Sequence, residues 1–184
     1  MLIKTVFSGF GGQGVLMMGY ILAVSAMKDG MHVTYLPAYG AEVRGGTANC
    51  TVSISDEDIA SPVASSPDYV IAMNKPSLIK YEGMIKHNGV LFLNSDLIDA
   101  NPERKDIEVV KVPANSLAKE IGSERALNMI MLGALIGKTK ITSIKSLMNG
   151  LAEVIKKKSA KQMEINRVGL ETGVKYVLEG LEGA

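Results

Sequence analysis

The sequence predicts an α/β domain in which a mixed sheet is layered with helices, and three observations carry that prediction. Short apolar, β-branched runs alternate along the chain with longer stretches of helical character. The first of them, Leu2 to Ser8, passes through Gly9-Phe10-Gly11-Gly12-Gln13-Gly14 into an apolar helical stretch, a Rossmann-like strand–turn–helix start. The C-terminal third reads as helix almost throughout. At 184 residues, 47% hydrophobic and 21% charged, the chain has enough material for one sizeable core, so a single domain is expected over 1–184.

Strands are expected at 2–8, 31–36, 48–54, 69–73, 89–93 and 108–112. Helices are expected at 13–28, 75–85, 115–121, 124–137, 143–157 and 162–180. Gly30 and Gly89 mark helix-to-strand turns, and Asn74 can cap a helix that has Pro76 in its first turn. The segment from Ile59 to Pro67, with Pro62, Ser65 and Ser66, reads as a loop because apolar strands flank it on both sides. Strand 48–54 follows 31–36 with no crossover helix between them, so part of the sheet should be antiparallel.

In the first glycine segment, Gly9 would permit the tight turn, Gly11 would let a ligand or another chain approach bare backbone, and Gly14 would let the helix pack on the strand. Free N–H groups at the helix start would form an anion site. The spacing is that of a dinucleotide loop, yet the second strand ends in Tyr35, Leu36 and Pro37 where an acid should meet the ribose. Asp29 precedes that strand and belongs to the opposite edge of the sheet. Without the acid, the segment reads as a packing turn ahead of an NAD or FAD site.

A second glycine-rich segment, Tyr39-Gly40-Ala41-Glu42-Val43-Arg44-Gly45-Gly46-Thr47-Ala48-Asn49-Cys50, is oddly composed for a routine connection. In extended backbone Glu42 and Arg44 point the same way, and Gly45-Gly46 allows a sharp turn behind them. Chemistry alone supports an anion clamp built on Arg44 and a self-satisfying Glu42–Arg44 ion pair equally.

Composition excludes several classes of function. A formal net charge of +1 gives no field for nucleic acid or an acidic membrane surface, and Lys156-Lys157-Lys158 with Lys161 reads as a solvated helix end. No secretory signal is read at the start of the sequence, and a cytoplasmic address is expected. Cys50, the one cysteine, allows no internal disulfide, no CxxC pair and no iron–sulfur cluster held by this chain alone; in a strand it reads as a small buried apolar residue. His32 and His87 have no ligand-rich neighbourhood in the sequence, so no metal is expected. The stretches Gly14 to Met27 and Ala126 to Ile136 are nearly devoid of polar residues and too short to span a bilayer. Each is therefore sandwiched inside the fold or covered by a partner. Five methionines in them (Met17, Met18, Met27, Met129 and Met131) supply adaptable packing, and Asn128 there needs a hydrogen-bond partner.

The two glycine segments, together with Pro67-Asp68 leading into Ile71-Ala72-Met73-Asn74, Asn94-Ser95, and Asn128-Met129 through Leu132-Gly133-Ala134, resemble the gamma subunit of the 2-oxoacid:ferredoxin oxidoreductases. The resemblance runs in order over nearly the whole chain, and Gly45-Gly46-Thr47-Ala48-Asn49-Cys50 is more similar to the 2-oxoglutarate type than to the pyruvate type. Ala41 departs from it, standing where a proline is expected before Glu-x-Arg-Gly-Gly. The resemblance implies oxidative decarboxylation of a 2-oxoacid to acyl-coenzyme A with reduction of ferredoxin, in a complex with alpha, beta and delta chains. Thiamine diphosphate and iron–sulfur clusters would be held by those other chains. This chain would be inactive alone and without a catalytic residue of its own, completing the assembly and shaping the coenzyme A site. Its contacts would come from Gly9, Gly11, Gly12, Gln13, Gly14, Glu42, Arg44, Gly45, Gly46 and Thr47. A self-sufficient NAD-linked enzyme and a purely structural scaffold subunit are the alternatives.

Overall fold

The computed structural model describes residues 1–39, 47–155 and 159–182. In chain order the elements are β1 (Leu2–Phe10), α1 (Val15–Lys28), β2 (His32–Tyr39), β3 (Thr47–Ser55), β4 (Tyr69–Ala72), α2 (Lys75–Tyr81), β5 (Val90–Asn94), β6 (Glu108–Val112), α3 (Ala114–Glu120), α4 (Leu127–Thr139), α5 (Ile144–Val154) and α6 (Ala160–Glu182). Short 3-10 turns occupy Glu82–Met84 and Glu124–Ala126. Every expected strand and helix is present, with shifted ends. The first helix begins at Val15 rather than 13, because Gly12 and Gly14 take left-handed φ values of 95° and 74° that a helix cannot contain. The helices expected at 75–85 and 124–137 are each part α-helix and part 3-10 turn. The lysine run 156–158 lies outside the described residues.

The sheet runs β2-β3-β1-β4-β5-β6. β1, β4, β5 and β6 are parallel, while β3 is antiparallel to both β1 and β2, which makes the sheet mixed as expected. The short passage from β2 to β3 requires the antiparallel pairing, whereas the α1 crossover returns β2 in the direction of β1. β3 therefore lies between β1 and β2, which would be neighbours in a dinucleotide-binding unit.

On one face, Phe7, Cys50, Val52, Ile71, Met73 and Phe92 pack under α1 and α4. On the other, Val6, Val70, Ala72, Leu91 and Leu93 meet Leu78, Tyr81 and Ile85. β4 and β5 are buried on both faces, which explains their unbroken apolar sequence. The question raised by the two apolar helices has two answers. α4 is enclosed by the domain itself, with Met129 through Gly137 all buried. α1 turns Met18, Ile21 and Leu22 inward but leaves Met17, Tyr20 and Met27 between 39% and 59% exposed.

Close helix contacts depend on glycine. A Cβ at Gly133 would fall against the Leu170 carbonyl, and one at Gly173 against the Ile130 carbonyl with the Ala134 nitrogen 2.7 Å away. α4 and α6 thus meet backbone to backbone. A Cβ at Gly19 would strike the Cys50 sulfur, so α1 lies directly on β3. Asp29, set apart in the sequence as misplaced for a ribose, accepts hydrogen bonds from the Thr142 hydroxyl at 3.2 Å and the Ser146 hydroxyl at 3.0 Å, tying α1 to the start of α5. His32 Nδ1 pairs with Asp58 at 2.9 Å, and no group of three or more metal-ligand side chains occurs among the described residues. No helix among them is long and apolar enough to cross a membrane.

Asn74 caps α2 as expected, its Oδ1 accepting from the Ser77 N–H at 2.9 Å and the Ser77 hydroxyl at 2.7 Å. Asn74→Ala is expected to lower stability by about 1–2 kcal/mol, the usual cost of a lost N-cap. The midpoint of urea unfolding should fall, and an unchanged midpoint would show that the cap contributes nothing.

Candidate functional site at the carboxyl edge of the sheet

The two glycine segments, some thirty residues apart in sequence, meet at one edge because of strand register. β1 and β3 pair with Phe10 opposite Thr47, and β2 closes the hairpin with Tyr39 opposite Ala48. The glycine turn therefore leaves β1 directly beside the base of the β2–β3 hairpin. Glu42, Arg44, Gly45 and Gly46 lie outside the described residues.

Gln13 organises the turn. Its backbone N–H donates to the Phe10 carbonyl at 3.2 Å, its Oε1 accepts from the Phe10 N–H at 2.7 Å, and its Nε2 donates to the Met73 carbonyl at 3.3 Å. The amide is thus engaged in stitching the turn to the end of β4. Two glycines have other roles than the sequence suggested. Gly9 is within β1, with no unusual φ, and a Cβ there would lie 2.6 Å from Gln13 Oε1 and 2.8 Å from Met73 Cβ; it permits the Gln13 stitch rather than the turn. Gly14 does not seat the helix on its strand, since a Cβ there would collide with the Asn128 side chain of α4. Gly11 and Gly12 face open space.

Gly14 is the left-handed N-cap of α1 and provides no side-chain cap, and the first bond into the helix is from the Met18 N–H to the Gly14 carbonyl at 3.0 Å. The N–H groups of Val15, Leu16 and Met17 have no acceptor among the described residues, and the first turn of α1 contains no acid. The start of α1 presents the positive end of the helix dipole for that reason. A recess of 170 Å³ adjoins it, lined by Gly12, Gln13, Gly14, Arg125 and Asn128. Arg125 is exposed and has no ion-pair partner among the described residues. Glu124 and Leu127 also line this recess, and both line a larger one of 470 Å³ beside Asp96, Ser116 and Lys119.

Sequence reasoning missed Arg125, which stands in a polar stretch with no periodic signal. Asn128 was singled out for needing a partner; its Oδ1 accepts from the Met129 N–H at 3.0 Å, within its own helix. Asn74, 3% exposed beside the turn, has an amide nitrogen with no acceptor.

In the core under α1, burial pushes the Cys50 thiol up to about 12. A thiol held neutral in this way is a poor ligand for an iron–sulfur cluster. The described residues do not fit a cluster or a metal-bound diphosphate.

A glycine turn at the carboxyl edge, with an antiparallel strand inserted between β1 and β2, sets this α/β fold apart from the strand arrangement of a dinucleotide-binding unit. Over residues 4–176 the sequence matches the pyruvate ferredoxin/flavodoxin oxidoreductase family, and the chain belongs to it. It is 37% identical over 183 residues to ketoisovalerate oxidoreductase subunit VorA of Methanothermobacter marburgensis, covering 98% of this chain but 38% of VorA. It is 31% identical over 180 residues to the 2-oxoglutarate synthase subunit KorC of the same organism, covering 94% of this chain and 95% of KorC. Its fold is similar to the gamma subunit of keto/oxoacid ferredoxin oxidoreductase from Geobacter sulfurreducens PCA, with a TM-score of 0.81, 27% identity, and coverage of 96% of this chain and 99% of that one.

Proposed function

We propose that the chain is the gamma subunit of a multi-subunit 2-oxoacid:ferredoxin oxidoreductase and that its carboxyl-edge site borders the path of coenzyme A. The observation that carries the reading is the register that sets Phe10 opposite Thr47, bringing both family-type glycine segments to one edge beside the start of α1. Thiamine diphosphate and the clusters belong to other subunits in this reading, and they supply the decarboxylation and electron transfer to ferredoxin. This chain's part is to orient and to exclude: the open backbone at Gly11 and Gly12, the free N–H groups of α1 and the Arg44 guanidinium receive anionic groups, while Gln13 holds the turn in shape. The substrate is assigned as a class, a 2-oxoacid, since VorA and KorC carry different substrate names.

Native purification should recover the chain with alpha, beta and further subunits, and the isolated chain should oxidise no 2-oxoacid. Turnover by the chain alone would refute the subunit reading. In the reconstituted complex, Arg44→Met removes a charge-assisted hydrogen bond worth on the order of 1.5–3 kcal/mol and should weaken coenzyme A use about tenfold or more, with assembly intact. If Arg44 serves only an ion pair with Glu42, Glu42→Gln reproduces the defect in assembly or stability and coenzyme A dependence is unaltered. A normal coenzyme A response in a fully assembled Arg44→Met complex removes the clamp.

A further inference from the structure

The far edge of the sheet presents a second surface, independent of the glycine turn. β6 is the last strand, paired on one side only. The Glu108 N–H bonds to the Gly89 carbonyl at 2.9 Å and the Val112 carbonyl accepts from the Ser95 N–H at 2.9 Å, so the even-numbered residues of β6 face β5. Strand alternation then turns the N–H and C=O of Val109 and Lys111 outward, four backbone groups at the spacing of a missing neighbour. None of them has a partner among the described residues. Pro113, without an N–H, ends the edge.

Beside these groups is a groove of 420 Å³ between β6 and the last turns of α6, lined by Val110, Tyr176, Val177 and Gly180. Its rim carries a Lys138–Glu108 ion pair and the Glu179 carboxylate, which meets Lys175 at 3.6 Å. Lys111 is different: its ammonium donates to the Asn101 side-chain oxygen at 2.7 Å and meets no carboxylate among the described residues. Open edges of this kind are ordinarily covered, bulged or charged against pairing. Here the guard is partial: Lys111 on the strand, Pro113 at its end and a helix over one face leave the outward groups of Val109 and Lys111 without a partner among the described residues.

We infer that β6 accepts an extended segment of another protein chain as a seventh strand, with an acidic residue opposite Lys111 and apolar residues on either side of that acid entering the groove under α6. Backbone bonds to Val109 and Lys111 supply the pairing, and the alternation of the added strand sends its acid to one face and both neighbours to the other. A second copy of this chain is the poorer occupant. Two-fold pairing of β6 with itself would bring both α6 helices to the same face of the joint, where each already roofs its own edge.

The test uses the full chain and a blocked synthetic peptide centred on Val-Glu-Val. Amide exchange at Val109 and Lys111 should slow at least about tenfold when the peptide is added, as hydrogen-bonded strand amides do. A peptide centred on Val-Lys-Val should bind about fivefold more weakly, and Lys111→Glu should invert that order, as expected of a facing charge pair. N-methylation of the two peptide nitrogens that face β6 should abolish binding. Unchanged exchange at Val109 and Lys111, or equal binding of the N-methylated peptide, would overturn the inference. So would protection of those amides that rises with protein concentration in the absence of peptide, since it would assign the edge to a second copy.

Discussion

Gly173→Ala is expected to destabilise the chain by about 3 kcal/mol, the upper end of the cost of overpacking. Helix propensity alone argues the other way, because alanine is favoured over glycine by about 1 kcal/mol in a helix interior. Sterics decide the sign. The new methyl would fall on the Ile130 carbonyl and 2.7 Å from the Ala134 nitrogen, and a backbone cannot rotate aside as a side chain can. α4 and α6 would have to part, loosening Met129, Ile130, Leu135 and Leu170 together. Gly180→Ala supplies the control on the same helix, since a Cβ there meets nothing within 4 Å. It should leave stability unchanged or raise it by up to about 0.5 kcal/mol. Chemical unfolding of the two variants checks both, and equal stabilities would refute backbone contact between the helices.

Alkaline pH should expose the second large effect, through Cys50. Burial raises its folded pKa to about 12 from an ordinary value of 9.0, the Gly19 N–H and the Tyr35 side chain only partly offsetting the loss of water. Above pH 9 the unfolded thiol ionises while the folded one keeps its proton. The unfolded state then binds fewer protons, so stability falls as pH rises, being complete below pH 9 and lost up to the folded value. At about pH 10.5 the loss is on the order of 2 kcal/mol. Cys50→Ala has no such term. Its stability deficit relative to the natural chain should narrow by about that amount between pH 8.5 and 10.5, measured by urea unfolding under reductant. Parallel curves would show that the thiol is not held neutral.

The sequence made the elements legible because their signals are local: β-branched runs, Asn74 ahead of Pro76, and glycines at turns. It also made the antiparallel insertion legible, since no crossover helix fits between the second and third strands. What it concealed depends on distance along the chain. Gly14 answers to Asn128, Gly9 to Met73, and Asp29 to Thr142 and Ser146. No local pattern reports such partners. The same holds for the site: the residues of the glycine turn were found from their spacing, whereas Arg125 and the second recess beside Asp96 come from turns and a helix more than eighty residues downstream. The loop residues Glu42 and Arg44 rest on their chemistry and on the family.

The placement of β3 between β1 and β2 bears on which changes of length the chain can tolerate. Residues added to the connection at 40–46 would lengthen a tether whose two anchors are fixed by ladders on both sides of β3, at a small cost in closure entropy. A single residue lost from within β3 is another matter. Either the start of the strand gives way and Thr47 loses its place opposite Phe10, or the start holds and the residues beyond the gap, Cys50, Val52 and Ile54 among them, turn from the core face to the opposite one. The burial of those three side chains therefore acts as a vernier for the distant edge, and insertions and deletions in related chains should gather in the hairpin tip while the strand behind it keeps its length.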